Sequence, residues 1–143
     1  MNLITATTFE KARNLIKTAK SPIIFSSNDD ELNRKILEKE KIDILLINLK
    51  GRKDWQKQRN SGLDSVMARE ASKKGVIIAI NLPEIVDSSG KEKAEILSRV
   101  NQNIKLCAKY KVKMAFLPKK KDIYDLKALG LILGMPTWMT KSM

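Results

Sequence analysis

Five cationic side chains fall within residues 49–60, namely Lys50, Arg52, Lys53, Lys57 and Arg59, against one acid, Asp54. A second run, residues 96–121, carries Arg99, Lys105, Lys109, Lys111, Lys113, Lys119, Lys120 and Lys121 and no acid. The runs contribute +4 and +8, the whole of the net charge of +12, and the rest of the chain is neutral in sum. Ammonium and guanidinium groups gathered this way are suited to gripping phosphates, because each phosphate they neutralise releases bound counterions. Arginine adds a planar fork that takes two phosphate oxygens at once, which puts Arg52, Arg59 and Arg99 first among the candidates. The plainer reading of a charged run is a solvated helix face. Runs that hold the entire excess, in a chain that must otherwise tolerate its own repulsion, favour a polyanionic partner.

Other chemistries are narrowed by what is missing. The chain has no histidine and one cysteine, Cys107, so Ser–His triads and ordinary catalytic zinc sites cannot be built. Carboxylate-only Mg²⁺ sites stay formally open. The acidic run Asp29, Asp30 and Glu31, however, reads as a helix start favoured by the dipole. Cys107 lies on an apolar stripe and reads as a buried, inert thiol, and a lone cysteine suits a reducing compartment. The first residues lack a signal-peptide pattern, and the longest apolar stretch, near residues 129–135, is too short for a bilayer. A cytoplasmic, membrane-free protein is the expectation. Two Trp, two Tyr and three Phe show no paired spacing for base stacking, so binding is expected to rest on phosphates and RNA shape. Trp55, inside the basic loop, either stacks on a base or packs the loop down.

These residues need a scaffold. Short apolar runs at 3–5, 23–25, 42–47, 76–80 and 114–117 suit buried parallel strands. Between them apolar residues recur at helical spacing: Phe9, Ala12 and Ile16; Leu32 and Ile36; Leu63, Met67 and Ala71. The spacing of Ala94, Leu97, Val100, Ile104 and Cys107 predicts a long helix over 91–110, and a last helix over 122–133 is stopped by Gly134 and Pro136. Capping pairs Thr7/Glu10, Asn28/Glu31 and Ser61/Asp64 mark three helix starts. This alternation predicts one α/β domain over 1–143 with about five parallel strands under a helical cover. A complete eight-unit barrel needs about 250 residues. The units therefore make an incomplete or open barrel, or an open three-layer sheet.

The segment Gly51-Arg52-Lys53 with Arg59-Asn60-Ser61-Gly62-Leu63-Asp64-Ser65-Val66-Met67-Ala68 resembles the archaeal ribonuclease P protein component 3 family. The shared signature is a basic loop, Ser-Gly, an aliphatic residue, then Val and an aliphatic-Ala pair. Gly75-Val76-Ile77-Ile78-Ala79-Ile80-Asn81, the basic helix from Glu92 to Val112, and the Asp125-Leu126, Leu129-Gly130 and Gly134-Met135 positions are similar as well. The likeness covers about residues 42–135, and 1–41 match by element order. The chain is short beside that family, and its start aligns with a later βα unit.

The resemblance implies a TIM-barrel-like α/β fold and a non-catalytic, RNA-binding subunit of ribonuclease P, the ribonucleoprotein that removes the 5′ leader of precursor tRNA. The RNA subunit would hold the active site and its Mg²⁺, so the protein itself would bind no cofactor or metal and supply no catalytic residue. The implied partners are ribonuclease P RNA, component 2 and other ribonuclease P proteins, with precursor tRNA met indirectly. Basic signature positions fall on Arg52, Arg59 and Lys105. Together with the charge map, the expected RNA-binding set is Arg52, Lys53, Lys57, Arg59, Ser61, Arg99, Lys105, Lys109 and Lys111. Ser61 reads either as a helix cap or as a phosphate site at a helix N-terminus. An incomplete barrel also implies an open sheet edge, a place for a partner or for self-association. The alternatives are a general RNA-binding or assembly protein and, less favoured, a metal-dependent phosphoesterase on a related barrel.

Overall fold

Runs such as Ile23–Ser26, Ile44–Ile47 and Met114–Leu117 carry side chains that are apolar on both faces, and they form short strands buried on both sides. The computed structural model describes residues 2–54, 56, 59–118 and 122–143. Strands and helices alternate as β1 (Asn2–Thr5), α1 (Phe9–Thr18), β2 (Ile23–Ser26), α2 (Asp30–Lys39), β3 (Ile44–Ile47), α3 (Ser65–Lys74) and β4 (Ile77–Asn81). They continue as α4 (Leu82–Val86), α5 (Gly90–Tyr110), β5 (Met114–Leu117), α6 (Ile123–Leu133) and α7 (Thr137–Lys141).

All pairings are parallel and the strand order is β1-β2-β3-β4-β5. Each right-handed crossover therefore moves one strand in the same direction and lays its helix on the same face. Accordingly α1 packs on α2, α2 on α3, α3 on α5 and α5 on α6. This is the winding of a (β/α) barrel left open, and it excludes the three-layer alternative, which needs a reversal of strand order. Among the described residues, the outer sides of β1 and β5 pair with no strand.

Strand alternation sorts the core. Phe25, Leu45, Ile47, Ile78 and Phe116 point into the helical layer, where they meet residues such as Ala12, Ile36, Met67 and Val100. Ile24, Ile44, Leu46, Ala79 and Leu117 form a second cluster on the concave face. Among the described residues no helix is long and apolar enough to cross a membrane.

The expected strands are present with small shifts. β3 starts at Ile44 rather than 42, and just ahead of it the Asp43 carboxylate accepts from the Ile23 amide at 2.6 Å. The capping pairs need correction. Helix α1 is capped by Thr8, whose hydroxyl accepts from the Lys11 amide, rather than by Thr7. Helix α2 is capped by Asp29, which accepts from two amides, while the Asn28 side-chain oxygen is taken by Asn48. Helix α3 is capped by Asp64 and not by Ser61: Gly62 at φ +73 turns the chain into the left-handed region and breaks any helix that would start before it. The short helices α4 and α7 were not anticipated; Pro83 within the first turn of α4 and Pro136 capping α7 are their sequence signals.

Phe25 is fully buried and Leu3 is exposed at the sheet edge. Phe25→Ala should cost about 3–5 kcal/mol in a urea titration, and Leu3→Ala should stay within about 0.5 kcal/mol. Comparable losses would mean that the sheet does not carry its helices on one face.

Candidate nucleic-acid interface

The chain between β3 and α3 makes no regular structure, so its backbone groups must find partners elsewhere. One side of α5 supplies them. Arg99 has a side chain only 2% exposed; its guanidinium donates to the carbonyls of Leu49 at 3.0 Å and Arg52 at 2.7 Å, and to the Asp54 carboxylate at 3.1 Å. One turn on, Gln102 donates to the carbonyl of Arg59 and to the hydroxyl of Ser61, and Asn103 donates to the carbonyl of Ser61. From below, the Glu84 carboxylate accepts from the amides of Leu49 and Lys50.

A second arginine ties the loop to α2. Arg52, 10% exposed, forms a two-pronged pair with Asp30 at 2.8 and 2.9 Å and also donates to Asn48 and Asn60. A Cβ at position 62 would stand 2.7 Å from the Arg52 guanidinium and 2.8 Å from Ile47, so the glycine makes room for this pair. Asp54 takes the Asn60 amide at 2.9 Å and also pairs with Arg99 and Arg59. The Asn60 hydrogen bond first, then Arg99, holds the Asp54 carboxyl below its ordinary value.

Outside this frame stand the exposed cations, of which Arg59 also reaches Asp54 at 3.4 Å. Arg59 and Lys105 border one cleft of about 500 Å³ between the loop, α5 and α6. Lys109 follows Lys105 one turn along α5, about 6 Å away, and shares the Tyr110 ring with Arg69 of α3, each cation 5.4 Å from its centre. Arg69 foremost, with Lys109 behind it, pulls the Tyr110 hydroxyl below its usual range, as a positive field should. Lys111 lies over Trp138 at 5.4 Å and, with Lys113, edges a small cleft against the end of α3. From residue 96 to the end of β5 this strip contains no carboxylate.

The structure thus divides the sequence candidates. Arg59, Lys105, Lys109 and Lys111 are exposed, Arg59 and Lys105 beside one cleft, and Lys53 is exposed on the loop. Arg52, Arg99 and Ser61 are turned inward: the arginine donors are spent on Asp30, Asp54 and backbone carbonyls, and the buried Ser61 hydroxyl donates to the Leu63 carbonyl. Lys57 and Trp55, and also Lys119, Lys120 and Lys121, lie outside the described residues. The polar residues that build the frame, Asp54, Glu84, Gln102 and Asn103, did not stand out in the sequence. Arg99 and Asn103 had a usable signal, because they share the spacing of Ile96, Val100 and Cys107, all buried on α5. The stripe as read from sequence was rotated toward Ala94, which is exposed.

At the C-terminal ends of the strands, where (β/α) folds place their chemistry, a chain of neutral amides lies beside the capping carboxylate of Asp29. Asn81 donates to Asn48, and Asn48 donates to Ser26 and Asn28, beside a cleft of about 470 Å³. Among the described residues no group of three His, Cys, Asp or Glu could hold a metal ion. Burial pushes the Cys107 thiol up to about 12 and so keeps it unreactive.

No family model matches the chain. It is 29% identical over 131 residues to ribonuclease P protein component 3 of Methanococcus maripaludis, covering 92% of this chain and 54% of that protein. It is 30% identical over 125 residues to the component 3 of Methanococcus vannielii, covering 87% and 50%. The chain spans about half the length of these curated relatives. Among solved structures, a chain of the cryo-EM structure of archaeal ribonuclease P with mature tRNA superposes with a TM-score of 0.80 at 28% identity, over 97% of this chain and 62% of that one. The family resemblance read from the loop signature is therefore borne out, and so is the open α/β fold.

Arg99→Ala should destabilise the protein by about 3–5 kcal/mol, because it orphans a carboxylate and two carbonyls under the loop, and limited proteolysis should then cut within residues 49–60. The lowered Asp54 value means that its contribution is present at neutral pH and is lost as the pH falls below its ordinary 3.8 through the folded-state value. A carbon-13 NMR titration of the Asp54 carboxyl should find its midpoint below 3.8; a midpoint above that would contradict the network.

Proposed function

We propose that this chain, a relative of ribonuclease P protein component 3, is an RNA-binding protein subunit of ribonuclease P that supports the RNA subunit in removing the 5′ leader of precursor tRNA. The carrying observation is the set of exposed cations Lys105 and Lys109 on α5 with Lys111 and Lys113 just past its end, in a stretch of chain without acids, and Arg59 of the loop beside Lys105. A folded RNA brings its own phosphates close together, and cations fixed at such places lower that repulsion. The protein contributes no reacting group, and the Mg²⁺ of the reaction belongs to the RNA. Component 2 and other ribonuclease P proteins are the protein partners, with precursor tRNA met through the RNA. The open outer sides of β1 and β5 are where such a partner or a second copy attaches.

The backbone at Lys111 supports its place in the surface. It caps α5 in the left-handed region at φ 61, where glycine is the relaxed choice. A lysine kept in that conformation offers a cation that glycine would not.

Lys105→Ala with Lys109→Ala should weaken binding to the cognate RNA and reduce the salt slope of log affinity by about 2, with Lys17→Ala as a control near no part of the strip. Lys111→Gly should raise stability by about 1 kcal/mol while lowering RNA affinity. With component 2 and the cognate RNA, the protein should lower the Mg²⁺ needed for precursor tRNA cleavage. Binding to any RNA with equal strength would favour the general RNA-binding reading, and no effect at any Mg²⁺ level would overturn the subunit reading.

A further inference from the structure

The cleft between the basic loop, α5 and α6 combines three kinds of group that the phosphate-gripping role does not require together. Its rim holds two cations, Lys105 and Arg59, the latter also paired with Asp54 at 3.4 Å through one of its nitrogens. Its apolar wall is Leu97, Ile132 and Leu133, with Ile132 81% exposed although it is a large aliphatic residue. Its polar wall is the side-chain amides of Asn101 and Gln102. Gln102 spends both N–H donors inside the protein, on the Arg59 carbonyl at 3.0 Å and the Ser61 hydroxyl at 3.1 Å, and Asn101 spends one on the Leu133 carbonyl at 2.9 Å. What Gln102 retains for a ligand is its acceptor oxygen alone, and Asn101 adds a second oxygen beside it. These hydrogen bonds also fix the amide orientation, so the wall is preorganised as an acceptor surface.

We propose that this cleft is a subsite for one unpaired RNA nucleotide whose base carries an exocyclic amino group. The base lies against Ile132 and its apolar neighbours and donates an amino hydrogen to the Gln102 oxygen, while its phosphate lies between Arg59 and Lys105. The volume of about 500 Å³ is of the size of a small-ligand site, and the cleft is open on its solvent side, as a nucleotide within a strand requires. A double helix cannot deliver this contact, because its bases are stacked and its amino edges paired; a loop or bulge can. The inference rests on the RNA-binding reading and adds to it a preference for single strands and for adenine or cytosine over uracil. It also revises the expectation, drawn from the scarcity of aromatic residues, that no splayed base is involved: an aliphatic wall replaces the missing ring.

The full chain would be titrated, by fluorescence anisotropy at one salt concentration, against labelled decamers of adenylate, cytidylate and uridylate and against a blunt RNA duplex. The adenylate and cytidylate strands should bind about threefold or more tighter than uridylate, the scale of one added hydrogen bond. Ile132→Asp should weaken adenylate binding about fivefold or more by removing an apolar contact and repelling the phosphate, and should leave duplex binding within about twofold, since the duplex is held by phosphate contacts alone. Because Ile132 is exposed, that variant should keep the wild-type circular dichroism and urea midpoint. Equal affinity for the three strands, or an adenylate affinity unchanged by Ile132→Asp, overturns the subsite, as it would if the apolar wall instead received a protein side chain. Duplex binding that survives in that case keeps the RNA-binding reading. Failure to bind any of the four RNAs overturns both.

Discussion

A guanidinium taken out of water must be given back every hydrogen bond it loses, and Arg99 is the place where this structure meets that demand. A buried charge costs several kcal/mol in lost hydration, and the side chain recovers it from two carbonyls and a carboxylate that lie eight or fewer residues apart in one loop. Those acceptors converge only when residues 49–54 fold back over α5. The arginine therefore dictates the loop's course as much as the loop shelters the arginine. Gln102 and Asn103, on the same side of α5, extend that control to residues 59–61, and the Arg52–Asp30 pair pins the other flank to α2.

This arrangement sorts the two kinds of cation by their physics. Guanidinium is weakly hydrated and donates in fixed directions, so two arginines go inside to hold carbonyls and carboxylates. Ammonium is strongly hydrated and compact, so the lysines stay in water. Much of the arginine that a charge count assigns to the surface becomes framework, and the exposed charge is carried mainly by lysines, Lys105 and Lys109 of α5 among them, with Arg59 beside Lys105. A helix is a better carrier than a loop for this purpose, because the spacing of its charges is fixed by its rise and not by loop motion.

The succession of strands along the chain, the helix count up to the short pieces, and the basic run on α5 were legible in the sequence, because periodicity and charge runs are local signals; the strand order in space was not, since barrel and three-layer windings share one succession. Burial of Arg52 and Arg99 was not, because it depends on acceptors up to 50 residues away. Even so, Arg99 stands in register with Ile96, Asn103 and Cys107, and a polar residue on an apolar stripe signals a buried contact whose partner lies elsewhere. The helix caps were misplaced for a related reason. Neighbouring hydroxyl, amide and carboxylate side chains compete for the same amides, and the winner is settled by what else each can bind, as Asn28 shows by pairing with Asn48.

The sequential strand order has a bearing on how proteins of this shape can differ in size. Because every crossover advances to the adjacent position, no connection already made passes beyond either margin of the sheet. A further βα pair could be appended at β1 or at β5 without rethreading a single existing link, and each would bring its own helix to the common face. Shorter and longer versions of such an architecture are thus related by accretion, with the loop clasped by Arg99 left undisturbed in the interior of the array.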